Sequence, residues 1–191
     1  MAENAGIDGN RARLIGLIKE RSFQEGAAIK LASGKTSTFY FNMKPTMLDS
    51  EGAFLIASLI LDQIEGVDAD FIGGLEMGAV PIAASVAAVA HARGRKLPAF
   101  FVRKQAKEHG TRALIEGLPK GETMAGKKVV VVEDVTTTGG SALKAAETLK
   151  AEGAEVVRVI TIVDRLDGAA ETFANAGLTF APILTLADFR K

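Results

Sequence analysis

The stretch VVVVEDVTTTGGS, Val129 to Ser141, joins an apolar run to two acids, three threonines and a pair of glycines. Four consecutive valines are typical of a strand that is buried on both faces, as in the middle of a parallel sheet. Glu133 and Asp134 would then lie at the carboxyl end of that strand, before a turn into a helix that begins near Ser141. Backbone N–H groups of such a turn, with a helix N-terminus behind them, bind anions. The sequence therefore predicts a carboxylate pair beside an anion cradle.

Alternating strands and helices surround this stretch. Short apolar runs predict further strands at 69–74, 98–103, 154–164 and 180–186. Apolar faces predict helices at 11–20, 53–64, 81–94, 141–152 and 169–176. Strands that are apolar on both faces and alternate with helices favour an α/β fold with a doubly wound, mostly parallel sheet flanked by helices. Upstream, the turn signal Ser33-Gly34-Lys35 predicts a β-hairpin within 27–44.

The composition is that of one globular domain, spanning 1–191. The chain is 48% hydrophobic and 24% charged, and a domain of this size buries roughly 70% of its unfolded surface. We expect about 1–48 and the C-terminal end to form a small hood that contains the hairpin, and about 49–186 to form the core. The segment 103–128 breaks the pattern, and we expect it to lack regular structure and to act as a functional lid or a link.

Charge and cysteine usage exclude several classes of function. Twenty-three basic residues balance twenty-three acidic ones, so no net field recruits nucleic acid or an anionic membrane. The absence of cysteine excludes disulfides and thiolate metal sites, and it is compatible with the cytoplasm, where we expect the protein. No apolar run approaches the length of about eighteen residues that a membrane span needs.

The opening stretch resembles the phosphoribosyl pyrophosphate (PRPP) signature of type I phosphoribosyltransferases, in which an apolar run is followed by two acids and a Thr/Gly turn. The resemblance implies that Glu133 and Asp134 contact the ribose hydroxyls and that the turn binds the 5-phosphate. The turn residues assigned to the phosphate are Thr136, Thr137, Thr138, Gly139, Gly140 and Ser141. The resemblance also implies Mg²⁺, bound through PRPP and water near the two acids rather than in a protein cage.

A cationic stretch, VRKQAKEHG at 102–110, resembles the R-K-x-x-K-x-H-G form that marks orotate phosphoribosyltransferases. In that family a long loop closes over the pyrophosphate. The residues assigned to catalysis are Arg103, Lys104, Lys107, His109 and Asp134, and the four basic ones also bind PRPP. Three fixed cations and an imidazole so close together would repel one another without a polyanion, which agrees with this role. The resemblance further implies a homodimer in which the 103–113 loop completes the partner's site.

Two other stretches resemble PRPP and base-binding segments of the same family. The stretch GGLEMGAVPIA at 73–83 resembles the loop that meets the pyrophosphate through its backbone, which assigns Glu76 and Met77 to PRPP. For the Glu76 side chain, a Mg²⁺–water contact and a solvent-facing position are both open. Arg165, in IVDRLDG, matches the arginine that faces the orotate carboxylate, and a planar guanidinium suits that group.

The predicted hairpin carries the remaining orotate assignments. The stretch LASGKTSTFYFN at 31–42 resembles the family's hairpin, in which an aromatic side chain packs on the pyrimidine. The resemblance assigns Tyr40 and Phe41 to orotate, together with Thr137 from the PRPP turn. Ala32 stands where some members have a lysine, and Lys35 and Lys44 are candidates to compensate for it.

Together these motifs imply transfer of the phosphoribosyl group from PRPP to orotate, giving orotidine 5′-monophosphate and pyrophosphate in pyrimidine biosynthesis. Orotate is already anionic, so we expect no strong general base. Two alternatives remain: transfer to another nucleobase, such as uracil or a purine, and a PRPP-sensing regulator without catalysis. Arg165 and the cationic loop favour orotate over other bases, and the neutral net charge argues against a DNA-binding regulator.

Overall fold

The computed structural model of the protein describes residues 6–30, 36–105 and 114–190. The helices are α1 (Ile7–Arg21), α2 (Lys44–Met47), α3 (Ser50–Gln63), α4 (Ala79–Ala92), α5 (Gly140–Ala151) and α6 (Ala169–Asn175). The strands are β1 (Phe23–Lys30), β2 (Thr36–Phe41), β3 (Phe71–Leu75), β4 (Ala99–Val102), β5 (Ile115–Glu116), β6 (Lys128–Thr136), β7 (Glu155–Asp164) and β8 (Phe180–Thr185). In the part of the chain that the structure describes, no helix is long and apolar enough to cross a membrane.

A six-stranded sheet with the order β5-β4-β3-β6-β7-β8 forms the centre of the fold. Every neighbouring pair is parallel except β4 and β5, which are antiparallel. Because its valines alternate between the two faces, β6 contributes to two separate apolar cores. Val130 and Val132 pack in the core that contains residues of α1, α3 and α4, whereas Val129 and Val131 pack with residues of α5 and α6. The predicted doubly wound, mostly parallel sheet is therefore confirmed.

The predicted hairpin is present as a separate antiparallel sheet of β1 and β2. Its turn, including Ala32 and Lys35, lies outside the described residues. The ring of Phe41 on β2 lies 4.8 Å from that of Phe23 on β1 and 5.0 Å from that of Phe189, near the C-terminus. Arg190 adds a contact of 2.9 Å to Glu25 on β1. The C-terminal residues thus pack on the hairpin, although the division into hood and core remains a prediction.

Two short elements and several boundaries differ from the expectations. The segment expected to lack structure contains β5, which pairs Ile115 with Val102, and two residues show no apolar periodicity that could reveal a strand. The short helix α2 was not predicted either. The third helix begins at Ser50 rather than at 53, because the Asp49 carboxylate accepts hydrogen bonds of 3.0 Å from the N–H groups of Glu51 and Gly52.

Candidate active site

The carboxyl ends of four parallel strands meet at one edge of the sheet. The segments that follow them are 76–78 after β3, 103–105 after β4, 137–139 after β6 and 165–168 after β7. In doubly wound sheets this edge is where ligands bind, because the strand order reverses there and leaves a crevice. Most of the residues singled out from the sequence lie in these four segments or at the strand ends that lead into them.

The carboxylate pair lies at the end of β6, and its two members differ in environment. Glu133 is buried, with 8% of its surface exposed, whereas Asp134 is half-buried. Asp134 Oδ1 accepts a hydrogen bond of 2.8 Å from the N–H of Val135, but Glu133 Oε2 has no hydrogen-bond partner among the described residues. Burial and repulsion by Asp134 raise the pKa of Glu133 to about 9. The ligand-free site therefore holds Glu133 as a neutral acid at neutral pH.

Gly78, at the start of α4, brings a second loop against this pair. A Cβ at Gly78 would lie 2.8 Å from Asp134 Oδ1 and 2.9 Å from Glu133 Oε1, which is closer than real Cβ atoms approach. A Cβ at Gly74 would likewise collide with the carbonyl oxygen of Val132. Glycine at these two positions therefore lets the β3–α4 segment lie directly on the end of β6 without displacing the Val132 backbone or the two carboxylates.

The turn after β6 lies where the sequence predicts an anion cradle, between the strand and α5. Gly139 has a φ of 88° in the left-handed region, and α5 begins at Gly140, one residue earlier than expected. The side chains of Thr137 and Thr138 are exposed, whereas Thr136 is buried and its hydroxyl has no hydrogen-bond partner among the described residues. A cavity of about 360 Å³ lies against this turn, lined by residues 136–142 with Glu133 and Val135. Hydroxyls and backbone N–H groups thus line one open cavity, as an anion site requires.

A second cavity, of about 390 Å³, adjoins the first and shares Glu133, Val135 and Ser141 with it. Its other lining residues are Lys44, Met47, Leu48, Leu75, Glu76, Met77, Gly78, Pro81, Lys104 and Asp134. The structure therefore brings together the acids, the PRPP turn, the 76–78 loop and one cation of the 103–109 stretch. Lys44, considered only as a substitute for a missing lysine, lies on α2 and lines this cavity.

The first residues of the cationic stretch are anchored by hydrogen bonds to three other segments. Glu76 Oε1 accepts a hydrogen bond of 2.9 Å from the N–H of Lys104, and Lys144 Nζ donates one of 3.3 Å to the Lys104 carbonyl. The N–H of Arg103 donates to the carbonyl of Leu114 at 2.8 Å, which extends the β4–β5 pairing by one bond. For Glu76 the structure thus gives a third alternative to the two considered from the sequence. Lys107 and His109 lie outside the described residues.

Arg165 lies against the hairpin. It is 8% exposed, its guanidinium carbon lies 4.5 Å from the centre of the Phe39 ring, and Nη2 donates to Ser37 Oγ at 3.4 Å. Its Nε lies 3.3 Å from Asp167 Oδ2. Among the described residues, Arg165 lines neither of the two cavities. The sequence did not single out Phe39, although it is the aromatic that stacks on this arginine.

The two aromatic residues assigned to a pyrimidine differ in exposure. Tyr40 is 38% exposed on the outer face of the hairpin, while Phe41 is buried against Phe23, Phe39 and Phe189. Alternation along a strand accounts for this, since neighbouring side chains point to opposite faces. Their role in binding a base stays a prediction.

Comparison with known proteins gives consistent matches. The family model described as Phosphoribosyl transferase domain matches residues 46–181. The chain is 56% identical over 182 residues to the orotate phosphoribosyltransferase of Bradyrhizobium diazoefficiens, covering 95% of this chain and 97% of that protein. It is 44% identical to that of Sorangium cellulosum, covering 94% and 92%. The crystal structure of Mycobacterium tuberculosis H37Rv orotate phosphoribosyltransferase in complex with PRPP matches with a TM-score of 0.77 and 37% identity, covering 94% of this chain and 98% of that one.

Proposed function

The chain belongs to the orotate phosphoribosyltransferase family, and on that premise we propose that it transfers the phosphoribosyl group of PRPP to orotate. The products are orotidine 5′-monophosphate and pyrophosphate, in pyrimidine biosynthesis. The observation that carries the proposal is the pair of adjoining cavities, which places a carboxylate pair between an anion cradle and a cation-bearing loop. We propose a cytoplasmic location, with which the absence of cysteine is compatible.

The cradle and the carboxylates suit the two ends of a ribose 5-phosphate. The turn of residues 136–141 offers hydroxyls and N–H groups that donate to phosphate oxygens. Glu133 and Asp134 line the adjoining cavity, where carboxylates accept hydrogen bonds from sugar hydroxyls. The unpartnered Oε2 of Glu133 and Oγ1 of Thr136, judged among the described residues, are groups that such a ligand would satisfy.

Charge development at the anomeric carbon determines what the other residues do. As the bond to pyrophosphate breaks, the ribose becomes positive and the leaving group becomes more negative. We propose that Asp134 faces the ribose side, while Lys104 stabilises the pyrophosphate from across the same cavity. Arg103, Lys107 and His109 are proposed to add positive charge on the pyrophosphate side, with the backbone at Glu76 and Met77. No residue is assigned as a strong general base, because orotate is already an anion.

The residues at the end of β6 fit the Mg²⁺ that the family implies. Glu133 carries a buried oxygen without a hydrogen-bond partner in the described ranges, and Asp134 lies beside it. Nowhere in 6–30, 36–105 and 114–190 do three His, Asp or Glu side chains group closely enough to hold a metal by themselves. This suits an ion that keeps several waters and shares substrate oxygens. When bound, Mg²⁺ supplies positive charge to the pyrophosphate oxygens.

Orotate is proposed to bind on the hairpin side of the site. Arg165 carries a planar guanidinium at the end of β7, and the N–H of Arg165 donates to the carbonyl of Thr136 at 2.9 Å, which ties it to the PRPP turn. That guanidinium lies over the Phe39 ring, and a bidentate contact to the orotate carboxylate suits its planar fork. Tyr40, Phe41 and Thr137 complete the proposed orotate site.

We propose a homodimer in which the 103–113 loop completes the partner's site. Exposed apolar side chains beside the second cavity support an interface there, because Leu48 is 73% exposed and Met77 is 62% exposed. Chains carrying Lys107→Ala and chains carrying Asp134→Asn are each expected to be inactive alone. In heterodimers purified with two different tags, one of the two sites regains both residues if the loop acts in trans, giving about half of the parental activity. No recovery in verified heterodimers would contradict the shared site.

The proposed reaction is tested by following the absorbance of orotate in the presence of PRPP and Mg²⁺, with uracil and hypoxanthine as competing acceptors. We expect turnover of orotate that Asp134→Asn abolishes. The matched control is Asp68→Asn, which removes an exposed carboxylate 2.9 Å from Lys128 Nζ, at the opposite edge of the sheet. Turnover of uracil or hypoxanthine but not of orotate would favour transfer to another nucleobase. Binding of PRPP without turnover of any base would favour a PRPP-sensing regulator.

A further inference from the structure

The main chain of Lys104 is held by two side chains that come from different elements of the fold. Glu76, which follows β3, accepts from its N–H at 2.9 Å, and Lys144, on α5, donates to its carbonyl at 3.3 Å. A third bond, from the N–H of Glu76 to the carbonyl of Val102 at 2.8 Å, ties the same two segments together. We call the bonds of Glu76 and Lys144 to Lys104 the Lys104 clamp.

The clamp determines where the side chain of Lys104 begins. Lys104 lines the cavity that also contains Glu133 and Asp134. Lys104 is exposed. The two bonds of the clamp therefore hold its main chain in place at this edge of the sheet. An ammonium group on a flexible stem stabilises charge well only where its main chain is fixed, because preorganisation removes the cost of ordering it during the reaction.

The clamp also gives a role to Glu76, an acid in a cavity that is proposed to bind an anion. Glu76 lines a cavity proposed to bind pyrophosphate, and a free carboxylate there would repel a polyanion. Donation from the Lys104 N–H engages Glu76 Oε1 and turns the acid into a support for a cation. We infer that the side chains of Glu76 and Lys144 are positioning groups, which act on the transfer reaction through Lys104 rather than by touching the substrate. This inference rests on the proposed function for its kinetic consequence but not for its geometry.

Two substitutions of Glu76 distinguish the effect of its hydrogen bond from the effect of its charge. Glu76→Gln keeps an oxygen that accepts from the Lys104 N–H, whereas Glu76→Ala removes it. We expect Glu76→Ala to lower kcat by about tenfold, the scale of a hydrogen bond to a charged group, and Glu76→Gln to recover most of that loss. The matched control is Asp70→Ala, because Asp70 Oδ2 accepts a 2.8 Å bond from the N–H of Lys128 at the far edge of the same sheet. It is expected to leave kcat within about twofold of the parent.

The second arm of the clamp has a control on the same helix. Lys144→Ala is compared with Lys150→Ala, since Lys150 Nζ donates to the Ala176 carbonyl at 3.4 Å and lies away from the site. We expect Lys144→Ala to lower kcat by about three- to tenfold and Lys150→Ala to leave it near the parental value. The Glu76→Ala/Lys144→Ala double variant should lose less than the product of the two single losses, because both bonds fix the same residue.

A readout that is independent of catalysis is the exchange of the Lys104 amide hydrogen with deuterium. Glu76→Ala should speed exchange at residues 103–105 without a change in thermal midpoint, while Glu76→Gln should leave it close to the parental rate. Equal losses of kcat in Glu76→Gln and Glu76→Ala would overturn the clamp in favour of a role for the charge itself. Unchanged amide exchange in Glu76→Ala would also overturn it. Faster exchange in Glu76→Ala than in the parent, together with a parent that fails to turn over orotate, would support the clamp and reject the proposed function.

Discussion

The buried acid at the end of β6 makes the stability of the ligand-free protein depend on pH in a direction opposite to that of most carboxylates. Burial and repulsion by Asp134 raise the pKa of Glu133 to about 9, from 4.5 in an exposed glutamate. The folded chain therefore keeps a proton on Glu133 at pH values where the unfolded chain has lost it. Its contribution to stability is fully present below about pH 4.5, and it is lost as the pH rises through about 9.

The size of the effect follows from the protons bound in each state. Between pH 6 and pH 8 the folded chain holds about one more proton on Glu133 than the unfolded chain does. Linkage then lowers the free energy of unfolding by about 1.4 kcal/mol per pH unit, or about 2.5 kcal/mol over this range. Glu133→Gln mimics the protonated acid permanently, so this part of the slope should vanish in that variant.

Urea unfolding at pH 6, 7 and 8, without Mg²⁺ or PRPP, measures the slope. The chain also contains two histidines, so the informative quantity is the difference in slope between parent and Glu133→Gln. Glu122→Gln is the control, because Glu122 is exposed and its carboxylate lies 3.3 Å from Lys127 Nζ. Equal slopes for the parent and Glu133→Gln would refute a buried, neutral Glu133.

Four further substitutions test other contacts. Gly78→Ala places a Cβ within 3.0 Å of both carboxylates, so we expect the KM for PRPP to rise by about tenfold or more, whereas Gly16→Ala, with no atom within 4 Å, should not change it. Gly139→Ala, at a φ of 88°, should lower the free energy of unfolding in urea by about 1–2 kcal/mol. Arg165→Lys loses the planar fork and should raise the KM for orotate about tenfold at an unchanged KM for PRPP. Lys107→Ala should lower kcat by a factor of roughly 10² to 10³. A value within about twofold of the parent would contradict its proposed role on the pyrophosphate side.

The periodicity of apolar residues was sufficient to predict the main helices and strands, because each buried face repeats a pattern along the chain. The valines of β6 predicted a strand buried on both faces, and each face packs in its own core. The third helix begins three residues earlier than its apolar pattern predicts, because Asp49 caps it. By contrast, β5 exists because Ile115 pairs with Val102, and such pairing leaves no periodic signal in two residues.

The candidate site was predictable where a motif is contiguous and not where contacts join distant segments. In 129–141 the acids and the turn are neighbours in sequence, so they also lie next to one another at the end of β6. The bond from Lys104 to Glu76 spans 28 residues, and the stacking of Arg165 on Phe39 joins β7 to the hairpin. The contact of Gly78 with the carboxylates also depends on how β3 and β6 align. None of these has a local signature.

A neutral Glu133 resolves a conflict that the motif itself contains. A site for a polyanion needs positive potential, yet its signature places two acids between the phosphate cradle and the cationic loop. Burial and repulsion by Asp134 raise the pKa of Glu133, so that Glu133 adds no negative charge to the site at neutral pH. Sugar hydroxyls and a cation that arrive with the substrate favour the ionised form of Glu133, since both stabilise a carboxylate. We therefore expect Glu133 to ionise only when the sugar hydroxyls and the cation that it is proposed to contact are present.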